Sequence, residues 1–254
     1  MLWGRVIHAD RTVFGPVVDD TLHVHHGDMF AGARPTGEIL PLAEVTWLTP
    51  CQPSKMIALW NNYRQAAQRN GWDIPTEPLY FAKTANSFNA HLRTIPVPRS
   101  YDGRVVYEGE LGIVIGRTCS DVPIAEARHS IFGYTCINDV TALDLIAGES
   151  SFPQWTRAKC LDGFGVFGPL IATEIEPLDL TIRTLVNGRE RQNYPTSDMI
   201  FKPTELVSLL SRDMTLLPGD VIACGTSLGV LPMRPGVTIE VAIDGIGVLR
   251  NAYQ

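Results

Sequence analysis

The stretch VVYEGELGIVIG, residues 105 to 116, has the alternation of a β-strand and carries two acidic residues on one of its faces. Side chains of a strand point alternately to its two sides, so Leu111 and Ile113 belong to an apolar face and Glu108 and Glu110 share the opposite face. The Cβ atoms of the two glutamates would lie about 6.6 Å apart. The first basic residue that follows them is Arg117. Two like charges at this distance repel each other, so the pair requires either solvent or a counter-ion.

The composition indicates a globular protein that is long enough for a substantial core. The chain has 254 residues, of which 45% are hydrophobic and 19% are charged. A net charge of −6 and the absence of a basic run argue against a nucleic-acid surface. We find no apolar segment of signal-peptide length and no run of about 18 apolar residues, and therefore expect a cytoplasmic protein without a membrane span. Five scattered cysteines without a C-x-x-C pair indicate reduced thiols.

Strand-like runs outnumber helix-like ones along the chain. KMIALW and LYFAKT are typical of strands, whereas NNYRQAAQRNG and TELVSLLSRD are typical of short helices. This pattern predicts an α+β, β-rich mixed fold rather than a doubly wound parallel sheet. The two prolines of LTPCQPSK indicate a boundary between a small N-terminal β-rich domain, residues 1–53, and a catalytic domain, residues 54–254.

A divalent cation would remove the repulsion between Glu108 and Glu110. Mg²⁺ prefers carboxylate oxygens and few protein ligands, so two glutamates on one strand face supply two ligands and leave positions open for a substrate. A solvent-facing strand with two harmless glutamates is the alternative interpretation of the same spacing.

Three further segments favour the metal-binding interpretation over the solvent-facing one: NDVTALD at 138–144, KCLDGF at 159–164 and PGDVIACGT at 218–226. In chain order with the E-x-E strand, they resemble the motifs of the fumarylacetoacetate hydrolase superfamily over about residues 55 to 250. The similarity is to the branch of 2-hydroxyhepta-2,4-diene-1,7-dioate isomerases and 5-oxopent-3-ene-1,2,5-tricarboxylate decarboxylases. The resemblance implies a mixed-sheet roll of the type found in the C-terminal domain of that superfamily, and a homodimer.

The resemblance also implies roles for individual residues. It assigns the ligands of Mg²⁺ or Mn²⁺ to Glu108, Glu110 and Asp139, and a catalytic role to Lys159. Substrate-binding positions implied in the same way are Thr226, Gln192, Lys83 and Tyr63, and for Lys83 a surface or structural role is equally open. Independently of the family, three carboxylates and one divalent ion carry a net charge of −1, which Lys159 would neutralise.

The chemistry implied by such a site is metal stabilisation of an enolate. A 2-oxo acid chelates a divalent ion through a carboxylate oxygen and the neighbouring keto oxygen. Lys159 could add positive charge, or move a proton if its pKa were lowered. Decarboxylation, keto–enol isomerisation and C–C hydrolysis all share this enolate, so the metal ligands do not choose among them.

The chain departs from the hydrolytic members of the family in one helix. Those members carry N-Y-x-x-H-x-x-E, whose His and Glu activate water, whereas this chain has Ala66 and Arg69 at these positions. A second departure is Leu143, where many members have an arginine. We therefore expect a lyase or isomerase of an enolisable 2-oxo (di)carboxylic acid from aromatic-compound catabolism. The alternatives are a C–C hydrolase of an acylpyruvate or 1,3-diketone acid, and a non-catalytic metabolite-binding descendant.

Two hypotheses concern what replaces the missing residues. The substrate anion could be bound by one of three arginines, Arg64, Arg69 or Arg157. His91 could act as a replacement base, although a loop histidine without a catalytic role is the alternative.

Other features have simpler interpretations. GFGVFG, residues 163–168, matches a dinucleotide-binding pattern but is followed by Pro169 and a strand-like run, so we interpret it as a tight bend beside Lys159. Asp144 and Asp162 are expected to orient neighbouring groups rather than to touch the ion.

Overall fold

The computed structural model describes all 254 residues and confirms the predicted α+β class, in which strands predominate. The strands are β1 (Leu2–His8), β2 (Arg11–Val18), β3 (Thr21–His26), β4 (Arg34–Pro41), β5 (Thr46–Trp47), β6 (Met56–Trp60), β7 (Leu79–Lys83), β8 (Phe88–Asn89), β9 (Val105–Val106), β10 (Gly109–Ile115), β11 (Ile131–Asp139), β12 (Thr141–Ala142), β13 (Gly165–Ala172), β14 (Thr181–Val186), β15 (Arg189–Pro195), β16 (Val221–Ala223), β17 (Thr238–Ile243) and β18 (Gly247–Ala252). The helices are α1 (Arg64–Asn70), α2 (Ile124–Ala127), α3 (Leu143–Ile146), α4 (Trp155–Lys159) and α5 (Pro203–Asp213).

One large mixed sheet runs through the whole molecule. Its strand order is β4-β3-β2-β1-β13-β11-β10-β16-β6-β7, with β5 paired to β1 and β8 paired to β13. Most neighbours are antiparallel, and the parallel pairs are β16 with β6 and β13 with β8. A second sheet, β15-β14-β17-β18, is wholly antiparallel.

The N-terminal strands form a unit with its own small core but do not form a separate sheet. Val6, Leu22 and Val24 belong to a local apolar cluster of β1–β4. Strand β1 also pairs with β13 of the catalytic part, in the register Leu2 opposite Ala172. Backbone hydrogen bonds therefore connect the two parts directly. The division into residues 1–53 and 54–254 stays a prediction.

The two faces of β10 are buried in different clusters, as its alternation requires. Leu111 and Ile113 pack into the largest apolar cluster, together with residues of α5 and of the second sheet. Val114, on the opposite face, packs into a smaller cluster with Ile137 of β11. Because every residue of β10 is buried, the solvent-facing interpretation of this strand is wrong.

Helix α1 lies within the predicted segment NNYRQAAQRNG, where it begins at Arg64, and it ends at the predicted position. It is stopped by Gly71, which adopts a left-handed conformation (φ +68°) and donates its N–H to the last turn of the helix. No helix of the protein is long and apolar enough to cross a lipid bilayer.

Candidate metal centre

The register between β10 and β11 brings the three predicted metal ligands together. Gly109 lies opposite Asn138, so Glu108 faces Asp139 across the pair, and Asp139 donates its backbone N–H to the carbonyl oxygen of Glu108 at 2.9 Å. Directly opposed residues of neighbouring strands point to the same face. Glu110, two residues further along, shares that face, and ligand oxygens of the three carboxylates all lie within 4.8 Å of one another.

Gly109 occupies the position between the two glutamates because no side chain fits there. A Cβ at this position would lie 2.0 Å from the hydroxyl oxygen of Thr184 in the second sheet. The backbone N–H of Gly109 donates to the amide oxygen of Gln192 at 3.0 Å, and its carbonyl oxygen accepts from Thr226 at 3.0 Å and from the hydroxyl of Tyr194. The second sheet and the loop after β16 therefore fix the position of the backbone between Glu108 and Glu110.

Glu110 is fully buried and only partly satisfied. One of its carboxylate oxygens accepts the backbone N–H of Gly225 at 2.8 Å, in the loop after β16. Its other oxygen, Oε1, has no hydrogen-bond partner. A buried carboxylate oxygen without a partner is costly, and coordination of a cation is one way to compensate for it.

Two lysines pair with the other two carboxylates. The ammonium group of Lys159, at the end of α4, lies 2.6 Å from a carboxylate oxygen of Glu108 and 2.6 Å from one of Asp139. Lys83, at the end of β7, lies 2.5 Å from the second carboxylate oxygen of Asp139 and also donates to the carbonyl oxygen of Lys159. Both ammonium groups are buried, so these contacts are not surface ion pairs.

Lys83 reaches the site over a glycine of β13. Gly165 lies opposite Asp139 in the β11–β13 register. A Cβ at Gly165 would lie 3.1 Å from Cε of Lys83 and 2.9 Å from the hydroxyl oxygen of Ser87. The missing side chain therefore provides the space through which Lys83 approaches Asp139.

Burial and charge act on the acidic groups in opposite directions. Burial raises the pKa of Glu110 well above its usual range, and the neighbouring Asp139 and Glu108 add to this effect. Burial also raises the pKa of Glu108, against the attraction of the Lys159 ammonium group. For Asp139, burial is outweighed by Lys159 and Lys83, which lower its pKa.

Lys159 is a cation in this arrangement. Burial alone would lower its pKa, but the carboxylates of Asp139 and Glu108 outweigh burial, and the pKa of Lys159 is raised. Its ammonium group also lies 5.1 Å from the centre of the Phe81 ring. These contacts favour the charge-donating role of Lys159 over the proton-moving role that required a lowered pKa.

The donor set fits a hard divalent cation. Three carboxylates contribute only oxygen atoms, which is the ligand type that Mg²⁺ and Mn²⁺ prefer. With Lys83 included, the residues themselves carry a net charge of −1, and a divalent ion would bring the site to +1. An anionic substrate would neutralise this positive charge. The charge count made from the sequence included only Lys159 and was already neutral without a substrate.

The residues expected to bind substrate lie around the carboxylates, and their contact with substrate stays a prediction. Lys83 is part of the ion-pair network. Gln192 is buried and donates to the hydroxyl of Thr226 at 2.9 Å. Tyr63 is fully buried against the ring of Tyr194, with ring centres 4.9 Å apart, and its hydroxyl has no partner.

Several other candidates lie elsewhere. The structure corrects the expectation for Asp144, which binds the guanidinium of Arg104 and the hydroxyl of Tyr101 on the surface rather than a metal ligand. Asp162 accepts from Asn86 at 2.7 Å, in the loop that follows Lys159. The arginines proposed for the substrate anion, Arg64, Arg69 and Arg157, are all exposed.

His91 is engaged away from the carboxylates. Its Nδ1 accepts the backbone N–H of Arg250 at 3.0 Å, and its ring packs edge-on against Trp47, with centres 5.5 Å apart. Burial lowers the pKa of His91 to about 4, with a contribution from the charge of Arg250. A replacement base would have to leave both contacts.

The sequence interpretation missed three groups that contact the site. Thr141 donates its hydroxyl to Glu108 at 2.9 Å, and the amide oxygen of Asn138 accepts the backbone N–H of Glu108 at 3.0 Å. Both residues lie in the NDVTALD segment. Their closeness to Asp139 in the sequence could have indicated that they contact the site. The third is the ring of Phe81 near Lys159, and the available signal was its position two residues before Lys83 in strand β7.

Comparison with known proteins identifies the family to which the chain belongs. Residues 55–254 match the family described as fumarylacetoacetate (FAA) hydrolase C-terminal, and residues 1–50 match Rv2993c-like, N-terminal. The chain is 38% identical to oxaloacetate tautomerase YisK of Bacillus subtilis over 224 residues, which are 83% of this chain and 73% of that protein.

Two further similarities are close. The 4-hydroxyphenylacetate degradation bifunctional isomerase/decarboxylase of Salmonella dublin is 39% identical over 199 residues, 77% of this chain and 46% of that protein. The crystal structure of 5-carboxymethyl-2-hydroxymuconate delta-isomerase from Mycobacterium smegmatis superposes with a TM-score of 0.92 at 38% identity, covering 100% of this chain and 99% of that one. With a family match across the whole catalytic part and this agreement in fold, the chain belongs to the fumarylacetoacetate hydrolase family.

Proposed function

We propose that the protein is a divalent-metal-dependent isomerase or lyase of an enolisable 2-oxo dicarboxylic acid, acting in the breakdown of aromatic compounds. The observation that carries the proposal is the cluster of Glu108, Glu110 and Asp139, of which Glu110 and Asp139 are buried. Glu110 has an unpartnered oxygen, and two lysines pair with Glu108 and Asp139. The names of the Bacillus and Salmonella relatives, a tautomerase and an isomerase/decarboxylase, support the same chemistry.

The acidic and the basic residues have different proposed roles, which follow from their charges. Glu108, Glu110 and Asp139 would hold Mg²⁺ or Mn²⁺, which supplies a Lewis acid for the carboxylate and keto oxygens of a 2-oxo acid. Lys159 stays protonated between Glu108 and Asp139, so it adds positive charge where negative charge develops on the substrate. Lys83 keeps Asp139 ionised and oriented.

Hydrolysis is less well supported than isomerisation or decarboxylation. Ala66 is a buried residue of α1 and Arg69 is exposed on the same helix, so neither offers a base to activate water as the His and Glu of hydrolytic members do. Isomerisation and decarboxylation need no activated water, and the carboxylates and lysines that support them are present.

The experiment is a screen of oxaloacetate, acylpyruvates and 2-hydroxydienoates with Mg²⁺ or Mn²⁺, with Glu110→Gln as the blank. We expect a metal-dependent absorbance change or release of carbon dioxide that the blank lacks. Incorporation of labelled oxygen from water into a product carboxylate would favour the C–C hydrolase instead. Tight binding of 2-oxo acids without turnover would favour a non-catalytic protein.

We also propose a cytoplasmic homodimer that binds no nucleic acid, since the resemblance implies the dimer and the acidic net charge disfavours nucleic acid. Light scattering after size-exclusion chromatography measures the mass directly. A mass equal to that of one chain at micromolar concentration would contradict the dimer.

A further inference from the structure

Glu108 is the least enclosed of the three candidate metal ligands. Its side chain is 15% exposed, whereas the side chain of Asp139 and the whole of Glu110 are fully buried. Glu108 also lies just before β10 rather than within it. Because a glutamate side chain has several rotatable bonds, its carboxylate stays beside the other two only where contacts hold it there.

The backbone of Glu108 is fixed by the strand that carries Asp139. Its N–H donates to the amide oxygen of Asn138 at 3.0 Å, and its carbonyl oxygen accepts the N–H of Asp139 at 2.9 Å. These bonds leave the side chain free to rotate. Two contacts restrict it, because Lys159 lies 2.6 Å from Oε2 and the hydroxyl of Thr141 donates to Oε1 at 2.9 Å. The two carboxylate oxygens therefore have different partners.

The position of Thr141 does not depend on its contact with Glu108. Thr141 is fully buried and pairs with Val106 where β12 meets β9. Val106 precedes Glu108 by two residues and Thr141 follows Asp139 by two, so this pairing connects both ligand-bearing segments. The hydroxyl of Thr141 lies 2.9 Å from the Glu108 carboxylate and 3.1 Å from the carbonyl oxygen of Asp139. It has one hydrogen, and the charged acceptor at the shorter distance forms the stronger bond.

Thr141 and Lys159 restrict the carboxylate of Glu108 in different ways. Lys159 contacts Glu108 and Asp139 alike, and its ammonium group ends a long stem that can follow a moving carboxylate. Thr141 has a branched side chain with a single stiff torsion, on a strand that is held by backbone pairing. Of the two partners, Thr141 is therefore the fixed one.

We propose that Thr141 is a positioning residue of the metal centre, whose hydroxyl holds the Glu108 carboxylate towards Glu110 and Asp139. It acts through Glu108 rather than on the substrate. Without this bond the carboxylate gains freedom that a bound ion must remove again, so the affinity for the ion falls. The inference rests on the proposed metal-dependent function and adds a residue that determines metal affinity.

The test is a titration of the protein with Mn²⁺, in which electron paramagnetic resonance measures the free ion and no turnover is needed. Thr141→Val keeps the shape of the side chain and loses the hydroxyl, and should raise the dissociation constant of Mn²⁺ about tenfold. Thr141→Ser keeps the hydroxyl and loses the methyl group, and should stay within about threefold of the wild type. Thr141→Ala and Thr141→Ser repeat the comparison without the methyl group.

The matched control is Thr135→Val, on the same strand as Asp139. Thr135 is fully buried and its hydroxyl has no hydrogen-bond partner, so this variant should bind Mn²⁺ as the wild type does. Equal Mn²⁺ affinity of Thr141→Val and the wild type, or equal losses in Thr141→Val and Thr141→Ser, would overturn the role of the hydroxyl and leave the proposed function intact. A wild type that binds no Mn²⁺ would overturn both.

Discussion

At the scale of single residues, Glu110 differs from Glu108 and Asp139 in lacking a lysine partner. Lys159 contacts Glu108 and Asp139, and Lys83 contacts Asp139, whereas Glu110 accepts only a backbone N–H. Its raised pKa follows from burial without a cation. Of the three candidate ligands, Glu110 is therefore the one whose negative charge would depend most on a bound ion.

The first prediction concerns Glu110→Gln. Without metal, the variant should be at least as stable as the wild type, because a buried carboxyl group with no cation partner is replaced by a neutral amide. With Mn²⁺ at a hundred times its dissociation constant, the wild type should gain about 2.7 kcal/mol and the variant much less. Thermal unfolding with EDTA and with Mn²⁺ measures both effects, and the exposed Glu44→Gln is the matched control. An equal metal response in Glu110→Gln and the wild type would contradict Glu110 as a ligand.

The second prediction concerns Lys83→Met. The substitution removes one positive charge from the site but leaves Asp139 paired with Lys159. We expect KM for an anionic substrate to rise about tenfold, since the attraction of its carboxylate weakens.

Lys55→Met is the matched control for the loss of an ion pair. Lys55 pairs with the buried Asp220 at 2.5 Å, outside the candidate metal centre, so this variant should lower stability without changing KM. Equal KM values for Lys83→Met and the wild type would argue against an electrostatic role of Lys83.

At the scale of secondary-structure elements, pairing register and close packing decide the site. A shift of one residue between β10 and β11 would turn Asp139 away from the face that carries Glu108 and Glu110. The second sheet and the loop after β16 limit such a shift, because Gln192 of β15 and Thr226 of that loop form hydrogen bonds with both backbone groups of Gly109. The elements themselves were predictable from their alternation, whereas this support from behind was not.

The third prediction concerns Gly165 of β13. An alanine there would lie too close to Lys83 and Ser87, so Gly165→Ala should displace Lys83 and lower kcat/KM about tenfold. A double-mutant cycle separates this effect from general damage. Adding Gly165→Ala to Lys83→Met should cost little further activity, whereas additive losses would show that the glycine acts through another residue.

At the scale of the whole molecule, His91 lies where the N-terminal unit meets the catalytic part. Its ring contacts Trp47 of β5, and its Nδ1 accepts from the backbone of β18. The folded state lowers the pKa of His91 from 6.5 to about 4, so below pH 6.5 the unfolded chain takes up a proton that the folded chain does not. Stability from this group is complete above pH 6.5 and is lost as the pH falls towards 4.

The fourth prediction follows from this loss of stability at low pH. Between pH 7 and pH 4.5, the wild type should lose about 1–2 kcal/mol more of its free energy of unfolding than His91→Asn, a value discounted for the partial exposure of the ring. Asparagine keeps an acceptor for the Arg250 N–H but does not titrate. Urea unfolding at the two pH values measures the difference, and identical pH dependence in both proteins would contradict the assignment.

The sequence by itself determined the β-rich class, the alternation that places Glu108 and Glu110 on one face, and the segments that contain Asp139 and Lys159. These features are local, because strand period and residue chemistry are readable within a few positions. Only the tertiary structure decided that β10 is buried on both faces, that Lys83 pairs with Asp139, and that Glu110 keeps an unpartnered oxygen. Those features depend on contacts between residues far apart in the chain, where sheet register and the space left by a glycine, rather than local pattern, determine which side chains meet.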